Sequence, residues 1–531
     1  MVNGKLRLLA TPILLPFALA VLPDTQGDMQ SDFVVGEVWE SEVSPPLFDP
    51  PEPEIQQLRS ELEDILTSTG NSRGRWAVLA VSMDRHDTLL ALNPGQRMVP
   101  ASNMKLLSTA AALHYLGPEF RYRTYLLADG PQTGEVLEGD LLLYGTGDPS
   151  ISERFFPAET DALDTLASRV AAMGIREVRG DLVVDGSYFR GPDLHPEWDP
   201  EDLNDAFAAP ISAVSLAENL VTLRVEAGSW VGAQPSIHTI PEASGIPLEN
   251  VAQTVSAGSR SRVWLFRETP QDPIGIEGEI PLGGSDVWRR LPVPDPLRFT
   301  GVQLQRALEA RGVRIEGAVV VVRDPVVSRL SSDSAVTGEN GDTPPRILAA
   351  QDSPPLLDLL RVINKESNNF LAETVAKTIG RVVLGDGSFA GGGRAIERFL
   401  LEEVGASRGE FQVRDGSGLS AENRASATVF VQTLEYMASS PYWEEFLNTL
   451  PEAGVRRELG RMYRSPAARN LRAKTGTMDR VSALSGLVRT RSGERILFSI
   501  LSNEVASTFR AKRAEDQLGI RLASLTRPFQ N

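Results

Sequence analysis

The chain has 531 residues, which exceeds the size at which one hydrophobic core keeps growing, so we expect two or three domains. Hydrophobic residues make up 41% of the sequence and charged residues 23%, values typical of folded globular proteins. The formal net charge of −17 repels phosphate backbones and anionic lipid headgroups, so nucleic acid is not expected as a partner.

The first predicted element is an export signal. Two basic residues precede an apolar run from Leu8 to Leu22, which predicts a signal peptide over residues 1–24 and a periplasmic or cell-envelope location. An uncleaved N-terminal anchor is the alternative; cleavage would leave no integral membrane association. Residues 25–54 are acidic and proline-rich and predict a linker. Because the chain has no cysteine, neither a lipid attachment site nor a disulfide framework is expected.

The elements of the folded part follow in chain order. A helix-like stretch at 55–66 precedes two strand-like segments, RWAVLAVSMD and DTLLALNPG, which a turn at 85–87 joins into a hairpin. Ser102 to Gly117 is predicted to be a helix because alanine and leucine dominate it and a glycine ends it. Near the other end, strands are predicted for RAKTGTM, VSALSGLVRT and RILFSILSN. If the early hairpin pairs with these late strands, one domain is built from both ends of the chain.

The stretch between these ends, from about residue 126 to about residue 345, is rich in short β-type runs such as LEGDLLLYG, VRGDLVVDG and EGAVVVVRD. Its two GDLxxxG runs predict equivalent hairpins of a small α/β unit. The stretch ends in the linker-like sequence SSDSAVTGENGDTPP. The sequence therefore predicts an insertion that leaves the two-ended domain and returns to it.

An S-x-x-K motif, Ser102 to Lys105, stands at the start of the predicted helix. This spacing places the serine hydroxyl and the lysine amine one turn apart on one helix face. A desolvated lysine with a lowered pKa can accept the hydroxyl proton and make serine a nucleophile. A helix-capping serine beside a surface lysine is the alternative, which the motif alone does not exclude.

Lysine is rare in this chain, while arginine carries almost all other positive charge. Arginine cannot be deprotonated in a protein, whereas an ammonium group can move its pKa into the working range. A lysine retained in such a chain is therefore a candidate for proton transfer, apart from the one that the export signal explains. The lysines are Lys5, Lys105, Lys365, Lys377, Lys474 and Lys512.

Two weaker motifs accompany the first. The S-x-N motif from Ser367 to Asn369 is predicted to lie in a loop before a helix, FLAETVAKTIG, that ends at Gly380. It offers a hydroxyl for proton relay and an amide for a substrate peptide bond. The KTGT sequence from Lys474 to Thr477 lies on a predicted strand, whose glycine allows an extended peptide to approach. Helix caps and an ordinary strand are the alternatives, but the three motifs in this order indicate an acylating serine enzyme.

The sequence resembles the class C low-molecular-mass penicillin-binding proteins, the D-alanyl-D-alanine carboxypeptidase/endopeptidase family of the penicillin-binding protein 4 type. The resemblance covers nearly all of the chain after the predicted signal peptide. The long interval from Lys105 to Ser367 separates this family from β-lactamases and simpler carboxypeptidases. Further blocks that match are GDLLLYGTGDPSIS, VRGDLVVDGSYF, AAPISAVSLAENLVTL, DGSGLSAENRAS, LPEAGV and AKTGTMDRVSALSGLV.

The resemblance implies an α+β multidomain fold. A penicillin-binding/β-lactamase-like transpeptidase domain, with an antiparallel sheet flanked by helices, carries two inserted, strand-rich domains. We accordingly expect the catalytic domain at 55–125 and 346–531, an inserted domain at 126–211 and 292–345, and a second domain nested within it at 212–291. The resemblance also implies peptidoglycan stem peptides and their cross-links as substrates, covalent binding of β-lactam antibiotics, and no cofactor or metal.

Roles for the motif residues are likewise implied by the resemblance. Ser102 is acylated, Lys105 is its general base, and Ser367 passes a proton towards the leaving amine with Lys474 nearby. Asn369 holds the substrate amide. Backbone N–H groups of Ser102 and Thr477 form the oxyanion hole. The expected substrate-binding residues are Thr475, Gly476, Thr477, Asp202 and Phe207.

Asp202 and Phe207 belong to the segment WDPEDLNDAF, which resembles an inserted-domain edge that contacts the diamino acid of the stem peptide. Asp202 would bind its ammonium group and Phe207 its aliphatic part; a solvated acid and a core aromatic are the alternatives.

One departure from the family lies after Gly454, where an aspartate and a Gly-Thr-Leu turn are replaced by VRREL. It predicts a local change in geometry or substrate choice without loss of activity.

Several other functions fit the sequence less well. An esterase or β-lactamase with the same serine chemistry needs fast deacylation of a bulky acyl-enzyme. The sequence shows no evident additional glutamate motif that would serve this step. A Ser-His-Asp hydrolase is disfavoured because all four histidines precede the second motif and none lies in a G-x-S-x-G context. A zinc hydrolase lacks H-E-x-x-H and cysteine ligands. A noncatalytic peptidoglycan-binding protein with relict motifs remains the alternative from another class, although binding alone needs no titrating amine.

Overall fold

The computed structural model describes residues 53–68, 74–242, 245–269, 272–330 and 344–527. The predicted signal peptide lies outside these residues, as does the predicted linker apart from its last two positions. Among the described helices, none combines the length and hydropathy that a membrane span requires.

Both ends of the folded chain contribute to a five-stranded antiparallel sheet. The early hairpin is present, and its strand Arg75–Ser82 pairs with Arg495–Asn503 along its full length. The predicted pairing of early and late strands is therefore confirmed. In spatial order the strands of this central sheet are Thr88–Leu92, Arg75–Ser82, Arg495–Asn503, Val481–Arg489 and Leu471–Met478.

Helices surround the central sheet, and one of them lies in the interior. The helix Met104–Leu116 buries every side chain from Met104 to Leu113, which matches its run of alanine and leucine. Its end is at Gly117, whose φ of 75° favours glycine, as predicted. The other helices of this part are Pro53–Ser68, Leu356–Lys365, Asn369–Leu384, Phe389–Glu402, Ala427–Ala438, Trp443–Thr449 and Thr508–Ala523, and a two-stranded pair joins Phe411–Gln412 to Arg424–Ala425.

The insertion is built around a second five-stranded sheet. Buried apolar side chains of this sheet pack against the helices Asp161–Ala172 and Pro296–Glu309. Its strands, in spatial order, are Val319–Val322, Leu182–Asp185, Asp140–Gly145, Arg123–Asp129 and Arg346–Asp352, and beside it lie the short strands Arg314–Ile315, Glu177–Val178, Val136–Leu137 and Gln132–Thr133.

A strand-rich unit lies within the insertion. One of its sheets has three strands, Ser236–Ile240, Leu220–Glu226 and Val287–Pro292. The other consists of Leu248–Asn250, Ile274–Pro281, Gln253–Val255 and Arg262–Phe266. The division into three domains at the expected boundaries stays a prediction.

The structure corrects two expectations. The GDLxxxG runs do not form hairpins: Asp140–Gly145 and Leu182–Asp185 are neighbouring parallel strands, because the helix Asp161–Ala172 supplies the crossover that parallel pairing needs. The helix that begins at Asn369 does not end at Gly380 but continues to Leu384. A Cβ atom at Gly380 would lie 2.5 Å from the backbone nitrogen of Gly392, so this glycine permits close helix packing.

Candidate active site

Ser102 lies in a single 3-10 turn, Ala101–Asn103, immediately before the buried helix Met104–Leu116. The predicted contact with Lys105 is present, with Nζ 3.0 Å from the Ser102 Oγ. Gly418 packs against this turn so closely that a Cβ atom on it would lie 1.9 Å from the carbonyl oxygen of Ala101. The S-x-x-K motif is thus not a helix cap with a surface lysine.

Lys105 is fully buried and makes three contacts through Nζ. Besides Ser102 Oγ, these are the Oδ1 of Asn369 at 2.6 Å and the carbonyl oxygen of Ser417 at 2.7 Å. Both of these oxygens only accept hydrogen bonds. A neutral lysine amine has two N–H groups and one lone pair, so the two acceptors occupy both N–H groups. The lone pair is then left for the hydroxyl proton of Ser102.

Burial lowers the pKa of Lys105 to about 7, although the carboxylates of Glu373 and Asp415 oppose this shift. Lowering by desolvation is the expected effect of placing an ammonium group in a medium that solvates it poorly. A base with a pKa near neutrality can both accept and return a proton at that pH. The electrostatics of Lys105 therefore suit a general base.

A second serine–lysine pair faces the first. Lys474 Nζ lies 3.0 Å from the Ser367 Oγ and also donates to the carbonyl oxygen of Thr475 at 2.9 Å. Lys474 is fully buried, and burial together with the charge of Lys105 holds its pKa well below the usual range. Ser367 lies in the predicted loop with a φ of 58°, a strained conformation for a residue with a side chain. In this conformation its hydroxyl accepts a hydrogen bond from Lys474.

The KTGT sequence occupies the predicted strand, Leu471–Met478, at the edge of the central sheet. Its glycine is required by packing, because a Cβ atom at Gly476 would lie 2.4 Å from the carbonyl oxygen of Pro100. The strand thereby lies against the turn that carries Ser102. Thr477 is exposed at the strand end, where it lines the cleft beside that serine.

Four motif residues line a cleft with a volume of about 840 Å³: Ser102, Ser367, Asn369 and Thr477. Asp202 and Phe207 also line it, on two 3-10 turns of the insertion. The carbonyl oxygen of Phe207 accepts a hydrogen bond from Asn369 Nδ2 at 2.9 Å, and its ring is 45% exposed. Phe207 is therefore not a core aromatic. Other residues that line the cleft include Glu197, Trp198, Asp199, Leu419, Met478 and Asp479.

Acidic side chains dominate the insertion side of the cleft. Partial burial raises the pKa of Asp202, and the neighbouring carboxylates of Asp199, Asp205 and Glu201 raise it further. Like charges this close disfavour one another's ionised forms. A cationic group of a ligand would relieve this repulsion, so the local charge favours an ammonium group over an anion.

Two buried carboxylates that the sequence analysis missed shape the loop opposite Lys105. Glu373 accepts the backbone N–H groups of Gly416 at 3.0 Å and Ser417 at 2.6 Å. Burial and the nearby Asp415 raise its pKa to about 8, while those two hydrogen bonds favour the carboxylate. Asp415 accepts the N–H groups of Gly418 at 2.8 Å and Ser420 at 2.6 Å. Together they fix the Ser417 carbonyl that Lys105 contacts.

One sequence signal could have revealed Glu373. Asn369, Glu373 and Lys377 follow one another at intervals of four on a helix that is otherwise largely apolar. This spacing places them on one helix face, and buried polar residues at such spacing require partners. Asp415, within the DGSGLS block, gives no comparable periodic signal.

Lys365 and Lys377 do not line the cleft and have partners elsewhere. Lys377 is buried with its Nζ 4.5 Å from the ring centre of Phe389, and burial lowers its pKa to about 8. Lys365 pairs with Glu458 at 2.7 Å. Glu458 belongs to the segment that departs from the family pattern, and its other oxygen accepts the backbone N–H of Glu452 at 2.8 Å. The departure is thus anchored to the helix Leu356–Lys365, which precedes the S-x-N motif.

These contacts define the class of protein. Serine enzymes that work through an acyl intermediate require a serine hydroxyl next to a base. Here the candidate base is a buried amine with a pKa near neutrality, and a second serine–lysine pair lies across the cleft. A scan against family models matches residues 58–525 to the D-Ala-D-Ala carboxypeptidase 3 (S13) family. The chain belongs to this family and is a serine hydrolase of the D-alanyl-D-alanine carboxypeptidase type.

Relatives and solved structures agree with this assignment. The D-alanyl-D-alanine carboxypeptidase of Actinomadura sp. is 32% identical over 493 residues, which cover 90% of this chain and 87% of that protein. The D-alanyl-D-alanine carboxypeptidase DacB of Haemophilus influenzae is 25% identical over 427 residues, 79% of this chain and 83% of that protein. The crystal structure of penicillin-binding protein 4 from Haemophilus influenzae has a TM-score of 0.73 at 22% identity, covering 87% of this chain and 99% of that one. The predicted fold class is confirmed.

Proposed function

We propose that the protein hydrolyses the D-alanyl-D-alanine bond of peptidoglycan stem peptides, and the related bond of their cross-links, through an acyl-enzyme on Ser102. The observation that carries this proposal is the arrangement at Lys105 Nζ. Two carbonyl acceptors occupy its N–H groups, and the Ser102 Oγ lies 3.0 Å away. In this geometry the neutral amine accepts the hydroxyl proton.

Acylation begins when the Ser102 Oγ forms a bond to the carbonyl carbon and its proton moves to Lys105. Negative charge develops on the carbonyl oxygen, where the backbone N–H groups of Ser102 and Thr477 would stabilise it by a few kcal/mol. The C–N bond then breaks. The leaving amine takes the proton that Lys105 accepted, which the Ser367 hydroxyl passes on with Lys474 3.0 Å away, so Lys105 is neutral again.

Deacylation uses the same groups in the reverse sense. Water attacks the ester carbon, Lys105 accepts a water proton, and the bond to the Ser102 Oγ breaks as that oxygen regains a proton. The products are a free carboxylate and the original enzyme. When the leaving amine is D-alanine the reaction is that of a carboxypeptidase, and when it is the side-chain amine of a second stem peptide it is that of an endopeptidase.

The cleft supports a substrate with a cationic side chain. Asp202 would pair with the ammonium group of the diamino acid, and the exposed ring of Phe207 would cover its aliphatic part. Asn369 would hold the substrate amide, with Thr475, Gly476 and Thr477 along the extended peptide. A β-lactam presents a reactive amide and a carboxylate to the same groups, and a Haemophilus influenzae relative has been crystallised with one. We place the protein in the cell envelope, where such substrates occur.

Incubation of the purified protein with defined stem peptides and cross-linked muropeptides tests this function. We expect release of D-alanine from pentapeptides and conversion of cross-linked dimers to monomers, both abolished in Ser102→Ala. Separation of the products measures the ratio of the two activities. Rapid turnover of a penicillin with no cleavage of either muropeptide would instead identify a β-lactamase.

A further inference from the structure

Positive charge is concentrated in one part of this acidic protein. The whole chain carries a formal net charge of −17, yet residues 455–513 contain fourteen arginines and lysines against four acidic residues. This stretch includes the loop before the strand Leu471–Met478 and the first turns of the helix Thr508–Ala523.

The loop and the helix lie side by side. The Arg461 guanidinium donates to the carbonyl oxygen of Lys512 at 3.1 Å and pairs with Glu515 at 2.9 Å. Beyond the buried Met462, Tyr463 and Arg464 are exposed, with the Arg464 guanidinium 5.2 Å from the ring centre of Tyr463. This places an aromatic ring and a cation beside the helix.

The helix presents similar residues from its own first turns. Phe509, Arg510 and Arg513 are exposed, whereas the intervening Ala511 is buried. Arg480 lies near the helix start, because its carbonyl oxygen accepts the N–H of Val505 at 3.1 Å. We call Tyr463, Arg464, Arg480, Phe509, Arg510 and Arg513 the basic surface.

Few acidic groups neutralise the basic surface. Nearby Glu515 and Asp516 pair with Arg461, at 2.9 Å and 3.3 Å, and Glu504 pairs with Arg75 at 3.4 Å. Within the described ranges, Arg464, Arg510 and Arg513 have no carboxylate within ion-pair distance. The Phe509 side chain is 69% exposed and that of Tyr463 is 67% exposed. Unpaired cations and exposed rings therefore share one surface.

We propose that the basic surface binds the anionic headgroups of a lipid bilayer as a peripheral contact. Guanidinium groups match phosphate geometry, and each basic residue close to an anionic membrane adds to binding. Aromatic rings are favoured at the headgroup level, where one side is apolar and the other wet. A soluble polyanion would pair with the arginines but gives no role to the exposed Phe509 ring. The negative remainder of the chain would be repelled, which orients the molecule with this surface towards the bilayer.

Vesicle co-sedimentation of the full chain tests the proposal. Phosphatidylcholine vesicles, with and without added phosphatidylglycerol, are compared for the native chain, for the triple variant R464Q/R510Q/R513Q and for a control, R260Q/R289Q/R408Q, which removes three exposed arginines elsewhere. The apolar segment at 8–22 is common to all three proteins. We expect the triple variant to lose roughly 100-fold in partitioning to anionic vesicles at low salt, and the control to lose little beyond its change in net charge.

The variant Phe509→Ser distinguishes binding to a bilayer from binding to a soluble polyanion. It should weaken binding to anionic vesicles several-fold and leave binding to soluble polyphosphate unchanged. Equal losses in the triple variant and the control, or binding to polyphosphate but not to vesicles, would overturn the proposal. Labelling of the triple variant by a fluorescent penicillin at the native rate shows that the variant is folded. The same measurement shows that a loss of vesicle binding is independent of the proposed acylation of Ser102.

Discussion

The indole N–H of Trp198 donates to the buried carboxylate of Asp415, with Nε1 and Oδ2 3.0 Å apart. Trp198 belongs to the insertion segment that carries Asp202, whereas Asp415 fixes the loop whose Ser417 carbonyl contacts Lys105. This hydrogen bond therefore joins the edge of the insertion to the surroundings of Lys105. The arrangement couples the position of the segment that we propose to contact substrate to the position of the proposed base.

Trp198→Phe removes this N–H and keeps most of the ring. We expect a loss of about 1.5 to 3 kcal/mol in the free energy of unfolding, the scale of a hydrogen bond to a charged group, together with slower acylation by penicillin. Thermal melting and acylation rates provide the two measurements. Trp443→Phe, a matched change outside the cleft, should leave the acylation rate unchanged. Native acylation in Trp198→Phe would show that the bond does not position the loop.

A fluorescent penicillin should label the protein covalently, and the label should survive denaturation because it is an ester on Ser102. Ser102→Ala should abolish the label while leaving the melting temperature close to that of the native protein. Fluorescence of the denatured protein on a gel measures the amount of covalent label. A variant that still labels at the native level would assign the nucleophile to another residue.

Lys105→Arg retains positive charge but removes a group that can accept a proton near neutral pH. Acylation should fall by orders of magnitude, and a melting curve establishes whether the buried site tolerates the larger side chain. Lys105→Met, which is closer to lysine in size, provides the second variant. Substantial acylation in a folded Lys105→Arg would mean that charge, and not proton transfer, is what Lys105 supplies.

Acylation should depend on pH through Lys105, whose pKa burial lowers to about 7. In the proposed mechanism the neutral amine is the base, so the reactive fraction of the enzyme grows as pH rises through this value. Between about pH 6 and about pH 8 it increases from roughly one tenth to roughly nine tenths. Rates of penicillin acylation in stopped flow should follow this curve. A rate that is constant or falls over the same interval contradicts a neutral lysine base.

Asp202→Asn removes one charge from the cleft with little change in volume. If this carboxylate pairs with the ammonium group of a diamino acid, cleavage of stem peptides should drop roughly tenfold or more. Acylation by a small penicillin, which lacks that group, should hardly change. Equal losses on both substrates would assign Asp202 to the fold or to the shared catalytic centre, and no loss on either would make it a solvated surface acid.

The sequence predicted the parts of the site that local spacing encodes. Ser102 and Lys105 are one helical turn apart, so their contact follows from the motif once a helix is predicted there. The loop position of Ser367 followed from the helices on either side. The roles of these residues in catalysis stay predictions until the variants are measured.

Contacts between distant segments could not be predicted in this way. Trp198 and Asp415 are far apart in the chain, and nothing in either local sequence specifies the other as a partner. Because glycine commonly ends helices, the sequence predicts a helix end at Gly380, whereas this glycine is required by the close approach of Gly392. A single sequence does not distinguish a glycine needed for its own backbone from one needed by a neighbouring helix.

The pairing of Arg75–Ser82 with Arg495–Asn503 has a consequence for how the chain folds. Loop closure over so large a separation is entropically costly, and non-local pairing of this kind slows folding. The early hairpin must therefore wait for nearly the whole chain to emerge, with an edge of unpaired backbone groups exposed in the meantime. Truncation near the C-terminus should then do more than remove a few residues, because it would leave the first strands without partners and prone to aggregate.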